Sequence, residues 1–191
     1  MANPEQRGHP SNDLCVSVTK KKVTLVRHAK ASPITGGIRD FDRPLTDKGV
    51  RQAQQCGRLL TKRHFSYDRV LCSSSRRTLQ TYEEIRSFFS QLPAQLPDCD
   101  TIDTLYHAPV EKLDQLLAQR NDEESHVMII GHNPGLEDYL LDRCDGPEDY
   151  HLWLDQGFKT AGIATLELQS DRWAEIYGCR LHVLDYFRGK G

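Results

Sequence analysis

The sequence has little of what membrane and secreted proteins need. No apolar run approaches the roughly 20 residues that a membrane-spanning helix requires. The opening stretch MANPEQRGHPSND also lacks the apolar core of a secretory signal. We therefore expect a cytoplasmic protein with no membrane partner, in which residues 1–21 form a flexible N-terminal tail and residues 22–191 form a single α/β domain.

Patterns for metal ions, disulfides and nucleic acids are absent as well. The six cysteines include no C-x-x-C pair, and the eight histidines show no H-x-x-x-H or H-E-x-x-H spacing. We therefore expect scattered reduced thiols, no metal site and no cofactor. The 25 Lys and Arg residues against 27 Asp and Glu give a net charge of -2, which argues against a nucleic-acid partner. Any anion site must be a local cluster of cations.

Apolar runs separated by amphipathic stretches make up most of the remaining sequence. The runs within residues 22–27, 67–73 and 126–130 predict buried strands, and the first and third are continuous enough to be covered on both faces of a sheet. Apolar residues at helical spacing follow each run. Thr46 is the expected N-cap of the first helix, and Pro109 is the expected first residue of a later one.

Shorter signals complete the α/β pattern. We expect a loop over residues 31–43, a short strand over 101–105 and a helix over 136–141. Two alternating segments, 162–168 and 181–186, predict an antiparallel pair at a C-terminal sheet edge. Strands that alternate with helices predict a three-layer sandwich, with a mostly parallel central sheet and helices on both faces.

Polar side chains follow three of the predicted strands. Arg27 and His28 end the first strand, the run SSSRR at residues 73–77 follows the second, and His132 lies within GHNPG after the strand at 126–130. Because open α/β sheets bind ligands beyond the carboxyl ends of their strands, we expect these groups to converge on one pocket.

Two arginines and two histidines in one pocket favour phosphoryl chemistry. A guanidinium matches phosphate oxygens bidentately, and a neutral imidazole can attack phosphorus and carry the phosphoryl group. Each signal alone has an ordinary interpretation: a surface Arg-His pair, a solvated helix face or a tight turn. Together, and in this order along the chain, they favour a catalytic site.

Four motifs also resemble a known family. LVRHAKAS, DFDRPLTDKG, SSSRRTLQT and IIGHNPGLEDYL are similar to motifs of the histidine phosphatase superfamily, the phosphoglycerate-mutase-like enzymes. They are most similar to those of its SixA-like phosphohistidine phosphatase branch, and they occur in family order from residue 23 to about residue 168. Ala29 departs from the glycine commoner in the family at that position.

The resemblance implies roles for individual residues. It makes His28 the nucleophile, Arg27 its phosphate-binding neighbour and His132 the second family histidine. RTLQT fits the stretch that follows the second family arginine, so Arg77 is the match and Arg76 is expected to face outward.

Two further residues are candidate substrate contacts. Arg43, within RPLT, is expected to bind phosphate, although an ion pair with Asp40 or Asp42 is an equally supported alternative. Ser73, at the end of the second predicted strand, is the other candidate.

The family's general acid has no obvious counterpart. Larger relatives carry a glutamate near the third strand, whereas the matching region here contains Asp103, Tyr106 and His107. These three are unranked candidate proton donors, and ordinary burial against the following helix is the favoured interpretation of Tyr106. An alcohol leaving group needs an acid more than the labile P–N bond of phosphohistidine does.

The functional expectation follows from these features. Only 54 residues separate Arg77 from His132, which leaves no room for a cap domain over the pocket. We therefore expect a phosphatase with a covalent phosphohistidine intermediate, acting on phosphohistidine of a partner protein. The alternatives are a small-molecule phosphomonoesterase or mutase, acting on a small phosphorylated metabolite, and a phosphate-binding module without turnover.

Overall fold

A computed structural model describes residues 20–90, 92 and 95–189. The predicted tail therefore lies outside the described residues except for its last two positions. Lys21 is the first residue of strand β1, one position earlier than expected. In chain order the elements are β1 Lys21–Arg27, α1 Asp47–Lys62, β2 Arg69–Ser73, α2 Arg76–Phe89, β3 Cys99–Ile102, α3 Val110–Ala118, β4 His126–Gly131, α4 Gly135–Arg143, β5 Cys144–Asp145, α5 Glu148–Leu154, β6 Ile163–Leu168 and β7 Leu181–Phe187.

The strands form one sheet with the order β3-β2-β4-β1-β6-β7-β5. The pairs β1–β4, β2–β4, β2–β3 and β5–β7 are parallel, so β6 alone among the described strands runs against the others. The predicted mostly parallel sheet is confirmed, as is the antiparallel pairing of β6 with β7. The edge strand beside that pair is β5, which was not predicted because it contains two residues.

The two faces of the sheet carry separate hydrophobic cores. Leu25 of β1 packs in a cluster with residues of α3, α4 and α5, whereas its neighbour Val26 packs with residues of α1 and α2. Ile129 and Ile130 of β4 divide between the two clusters in the same way. Successive strand residues point to opposite faces, so a strand covered on both sides is apolar at most positions instead of alternating. This confirms the predicted three-layer sandwich.

Local signals place most element boundaries within a few residues. The Thr46 hydroxyl accepts a hydrogen bond from the Gly49 amide at 3.0 Å, as expected of the N-cap of α1. Pro109 is the N-cap of α3 and not its first residue. The strand expected over residues 101–105 is shifted toward the N-terminus, because a 3₁₀ turn, Asp103–Leu105, follows β3 directly. Helix α5 was missed.

The segment between α2 and β4 determines whether a cap domain covers the carboxyl edge of the sheet. Within the described residues it contains β3, one 3₁₀ turn and α3, and no cap domain.

None of the helices in the described ranges combines the length and apolar character needed to cross a membrane. The five described cysteines are unpaired, and Cys15 lies outside the described residues.

Candidate active site

The three polar clusters meet at the carboxyl ends of β1, β2 and β4. They surround a cavity of about 300 Å³. The hydrogen bond from the His28 amide to the Gly131 carbonyl joins the ends of β1 and β4 beside it. The residues that line this cavity include Arg27, His28, Arg43, Arg77, His107 and His132.

His28 presents an unprotonated nitrogen to the cavity. Its Nδ1 lies 2.8 Å from the Ala29 carbonyl oxygen, which can only accept, so Nδ1 carries the proton and Nε2 carries the lone pair. Burial, with smaller contributions from the nearby Arg77 and Arg27, lowers the pKa of His28 to about 3 against the opposing effect of the Ala29 hydrogen bond. The ring is therefore neutral at pH 7.

Arg77 joins the two histidines. Its guanidinium is almost completely buried, and it donates from Nε to His28 Nε2 and from Nη2 to His132 Nδ1, both at 3.3 Å. Arg76, one position earlier on α2, is exposed. The structure therefore brings Arg77 into the site and leaves Arg76 outside it, in agreement with the motif alignment.

Asp40 holds the other side of the same guanidinium. Arg77 Nη2 donates to Asp40 Oδ2 at 3.0 Å, and Arg77 Nη1 donates to the Asp40 carbonyl oxygen at 2.6 Å. The Tyr106 hydroxyl donates to Oδ2 at 2.5 Å, and Arg43 Nη2 lies 2.6 Å from Oδ1. The Tyr106 hydrogen bond, with those from the arginines, holds the pKa of Asp40 well below its usual range. Sequence reasoning had considered Asp40 only as a partner for Arg43.

The remaining arginines are held at the cavity edge. Arg27 Nη1 donates to the Phe158 carbonyl at 2.5 Å, and its buried Nε has no hydrogen-bond partner among the described residues. Arg43 pairs with Asp40 and donates to the Ser32 carbonyl at 2.7 Å, while it also lines the cavity. The ion pair with Asp40 is therefore present, and phosphate binding by Arg43 stays a prediction.

The cavity carries a net positive charge. Among the described residues that line it, Arg27, Lys30, Arg43 and Arg77 are cationic, and Asp40 is the one carboxylate. This balance favours a dianionic group such as a phosphoryl group. The fork-shaped guanidinium donors supply hydrogen bonds as well as charge.

Comparison with known proteins agrees with the resemblance that the four sequence motifs indicate. The model of the histidine phosphatase superfamily (branch 1) matches residues 23–99. The solved structure of SixA from Agrobacterium tumefaciens, which is named as a phosphohistidine phosphatase, is 32% identical and has a TM-score of 0.72; the match covers 87% of this chain and 97% of that chain. The chain belongs to the histidine phosphatase superfamily.

Further relatives agree with the SixA-like branch. A SixA structure from Nakamurella is 27% identical to this histidine phosphatase, with a TM-score of 0.72 and coverage of 90% of this chain and 98% of that one. A protein of uncharacterised function from Mycobacterium tuberculosis is 29% identical over 158 residues, which cover 81% of this chain and 94% of the relative. The resemblance predicted from the four motifs is confirmed.

The position of Ser73 in this histidine phosphatase corrects an expectation. Ser73 is fully buried, does not line the cavity and lies 2.8 Å from His132 Nε2 through its hydroxyl oxygen. Since Arg77 can only donate to His132 Nδ1, the ring proton is on Nε2 and is donated to Ser73. Ser73 therefore accepts a hydrogen bond from His132 and lies outside the residues that line the cavity.

His132 is neutral in this arrangement, with neither ring nitrogen free to donate into the cavity. Burial, with smaller contributions from His28 and Arg77, lowers its pKa to about 2. Donation to a phosphoryl oxygen requires Arg77 to turn toward the ligand and Nδ1 to gain a proton. A dianionic group beside the ring favours that protonation.

The three candidate proton donors lie in different environments. Asp103 is exposed and does not line the cavity. Tyr106 is half-buried, with its ring 5.3 Å from that of His132 and its hydroxyl on Asp40, so the expected burial against α3 is wrong. His107 lines the cavity.

Within the described residues no group of three or more His, Cys, Asp or Glu side chains is placed to hold a metal ion.

The buried histidines make the stability of the protein depend on pH. The pKa values of His28 and His132 are lowered to about 3 and about 2, and burial lowers that of His126 to about 4, from 6.5. Below pH 6.5 the unfolded chain binds protons that the native state does not. We expect the free energy of unfolding, measured by urea titration, to fall between pH 6.5 and pH 4, each histidine contributing about 1.4 kcal/mol per pH unit.

A substitution at the site isolates this effect. His28→Gln removes one of the three groups, so the slope of unfolding free energy against pH decreases by about one proton. His182→Gln, at an exposed position, leaves the slope unchanged. Equal slopes for the His28→Gln variant and the unaltered protein would contradict the assignment of a neutral buried His28.

Proposed function

We propose that this protein is a phosphatase that works through a covalent phosphohistidine on His28. The observation that carries the proposal is the orientation of the His28 ring, with a neutral Nε2 lone pair beside Arg77 in a cationic cavity. A nucleophile of this kind needs no deprotonation at neutral pH, because the imidazole is already unprotonated; Arg77 Nε must turn from Nε2 toward the ligand to free the lone pair.

The reaction proceeds in two displacements. His28 Nε2 attacks phosphorus, the bond from phosphorus to the leaving group breaks, and the leaving group departs with the electron pair. Water then attacks the phosphoryl-imidazole, the P–N bond breaks, and inorganic phosphate leaves with neutral His28 restored. Throughout, Arg27, Arg43 and Arg77 bind the phosphoryl oxygens, and charge that develops on those oxygens is stabilised by donors already in place.

We further propose that the substrate is a phosphohistidine on a partner protein. The absence of a cap between α2 and β4 in the described residues supports this, because an uncovered cavity admits a group displayed on another surface. The segment between the cavity residues Ala31 and Asp40 also exposes two large apolar side chains, Ile34 at 64% and Ile38 at 41%. Exposed apolar groups beside a charged pocket favour protein recognition. The similar Agrobacterium protein is named as a phosphohistidine phosphatase.

Rapid-quench labelling tests the mechanism and the substrate together. The protein is mixed with a ³²P-phosphohistidine protein, and in parallel with p-nitrophenyl phosphate and a sugar phosphate. We expect an acid-labile, alkali-stable phosphoryl group on the enzyme and the highest kcat/KM for the phosphohistidine protein. Faster hydrolysis of the sugar phosphate would instead indicate a small-molecule phosphatase, and binding without release of phosphate would indicate a binding module.

The exposed apolar side chains give a separate prediction. Ile34→Asp combined with Ile38→Asp is expected to lower kcat/KM for a phosphohistidine protein about tenfold, since it places charge in the proposed contact. Hydrolysis of p-nitrophenyl phosphate is expected to stay within about twofold, because this small ester needs only the cavity.

Tyr177→Asp is the matched control for these variants. Tyr177 is 54% exposed and lies in the 3₁₀ segment Trp173–Gly178, which follows the end of β6 paired with the start of β1, opposite the cavity. It should change neither rate. Equal loss on both substrates in the Ile34 and Ile38 variant would contradict a protein-docking role.

A further inference from the structure

His107 stands at the cavity in an unusual backbone conformation. Its φ is +55°, in the left-handed region that residues other than glycine seldom adopt. The side chain is half exposed and lines the same cavity as His28. Non-glycine residues held in such conformations concentrate at functional sites, where the surrounding structure maintains them.

The packing of α4 brings the His107 segment to the site. A Cβ atom at Gly135, the first residue of α4, would lie 1.9 Å from the Ala108 carbonyl oxygen, so only glycine allows this close approach. Gly135 belongs to the same GHNPG turn that carries His132. The His107 ring consequently lies 5.5 Å from the His132 ring, which is itself 5.0 Å from the ring of His28.

The other two candidate donors are poorly placed for proton delivery. Asp103 is exposed and outside the cavity lining. The Tyr106 hydroxyl proton is already donated to Asp40 at 2.5 Å. Burial and the Asp40 carboxylate raise the pKa of Tyr106, which makes it a weaker acid than a free phenol. His107, by contrast, has an imidazole that can both hold and release a proton.

We propose that His107 is the proton donor for the leaving group. The inference rests on the proposed function, with His28 as nucleophile. In the first step His28 Nε2 bonds to phosphorus, the bond from phosphorus to the leaving atom breaks, and protonated His107 gives its proton to that atom. In the second step neutral His107 takes a proton from the attacking water as the P–N bond breaks. The cycle ends with His107 protonated again and inorganic phosphate released.

Asp40 acts as a positioning residue for this donor. Its Oδ2 lies 4.0 Å from His107 Nε2 and also accepts from Tyr106, whose ring meets the His107 ring edge-on at 4.3 Å. A carboxylate at this distance attracts a protonated imidazole. The same carboxylate binds Arg77, so one group orients both the phosphate-binding arginine and the proton donor.

Leaving-group dependence tests the proposal. His107→Asn removes the titrating ring and keeps a residue type that tolerates a positive φ. Phenyl phosphate has a poor leaving group, whereas 2,4-dinitrophenyl phosphate has one that departs without a proton. We expect kcat/KM of His107→Asn to fall about 10²-fold on phenyl phosphate and less than about threefold on the dinitrophenyl ester.

A second histidine with positive φ provides a matched control. His64 has a φ of +54° and is exposed. It lines a different cavity, which also includes Lys20 and Lys22 at the start of β1. His64→Asn should leave both rates unchanged. Equal losses on the two esters for His107→Asn would overturn the proposal, because a merely structural residue does not distinguish leaving groups.

Labelling separates this proposal from the mechanism on which it rests. With the dinitrophenyl ester, His107→Asn should still form the phosphoryl group on His28, and formation of that group supports the donor assignment. Loss of the phosphoryl group in His107→Asn, with normal labelling of the unaltered protein, would overturn it. A failure of the proposed function would instead appear as an unlabelled His28 in the unaltered protein.

Discussion

His28→Ala is expected to abolish formation of the phosphoenzyme and to lower kcat/KM by about 10⁴-fold or more, because the variant lacks the protein atom that attacks phosphorus in the proposed mechanism. The buried ring lies against Arg77 at the end of β1, and alanine leaves the backbone hydrogen bond to Gly131 in place. The measurement is rapid-quench labelling with a ³²P-phosphohistidine protein, together with steady-state release of phosphate.

Two variants control for indirect effects. His132→Ala removes the second histidine but leaves Nε2 of His28, so we expect slow labelling and not its complete loss. His182→Ala, at an exposed position, should label normally. Full turnover by His28→Ala, or an undiminished phosphoryl group on that variant, would exclude a covalent His28 intermediate.

Arg77→Lys is expected to lower kcat/KM by about 10³-fold although the charge is kept. The guanidinium uses all three of its nitrogens to contact His28, His132 and Asp40, at distances from 2.6 to 3.3 Å. A lysine has one nitrogen at the end of a flexible chain and cannot make this set of contacts or bind phosphate through a planar fork. Steady-state kinetics with a phosphohistidine protein measures the loss.

Arg76→Lys is the matched control, because the two arginines are neighbours in sequence on α2 and only Arg77 is buried. Arg76 is exposed, and we expect its substitution to change kcat/KM by less than about twofold. Thermal unfolding of both variants shows whether either has lost its fold. Comparable kinetic losses in the two variants would contradict the placement of Arg77 as the phosphate-binding arginine.

The parts of the fold that sequence predicted well depend on local or periodic signals. The apolar runs around Leu25 and Ile129 indicate strands covered on both faces, since every position in such a strand meets a core. Thr46 caps its helix through a contact three residues away. The misses have equally simple reasons: β5 has too few residues to show a period, and the 3₁₀ turn after β3 overrides a strand-like sequence.

The candidate site divides in a similar way. Strand ends predicted that Arg27, His28, the run at residues 73–77 and His132 converge, because residues at the carboxyl ends of parallel strands meet at one edge. The choice of Arg77 within that run came from the family resemblance. Asp40 was nominated only as a partner for Arg43. Its bonds to Arg77 and Tyr106 join residues 37 and 66 positions apart, and no local pattern reports contacts of that range.

The sequence by itself therefore determined the class of fold and the superfamily, because strand periodicity, helix caps and short motifs depend on neighbouring residues. The tertiary structure decided how those groups are used. It placed Ser73 behind His132, made Asp40 the shared partner of Arg77 and Tyr106, and brought His107 to the cavity through the close approach of Gly135 to Ala108. These outcomes depend on how separate elements pack, which burial and backbone geometry set only once the whole chain is folded.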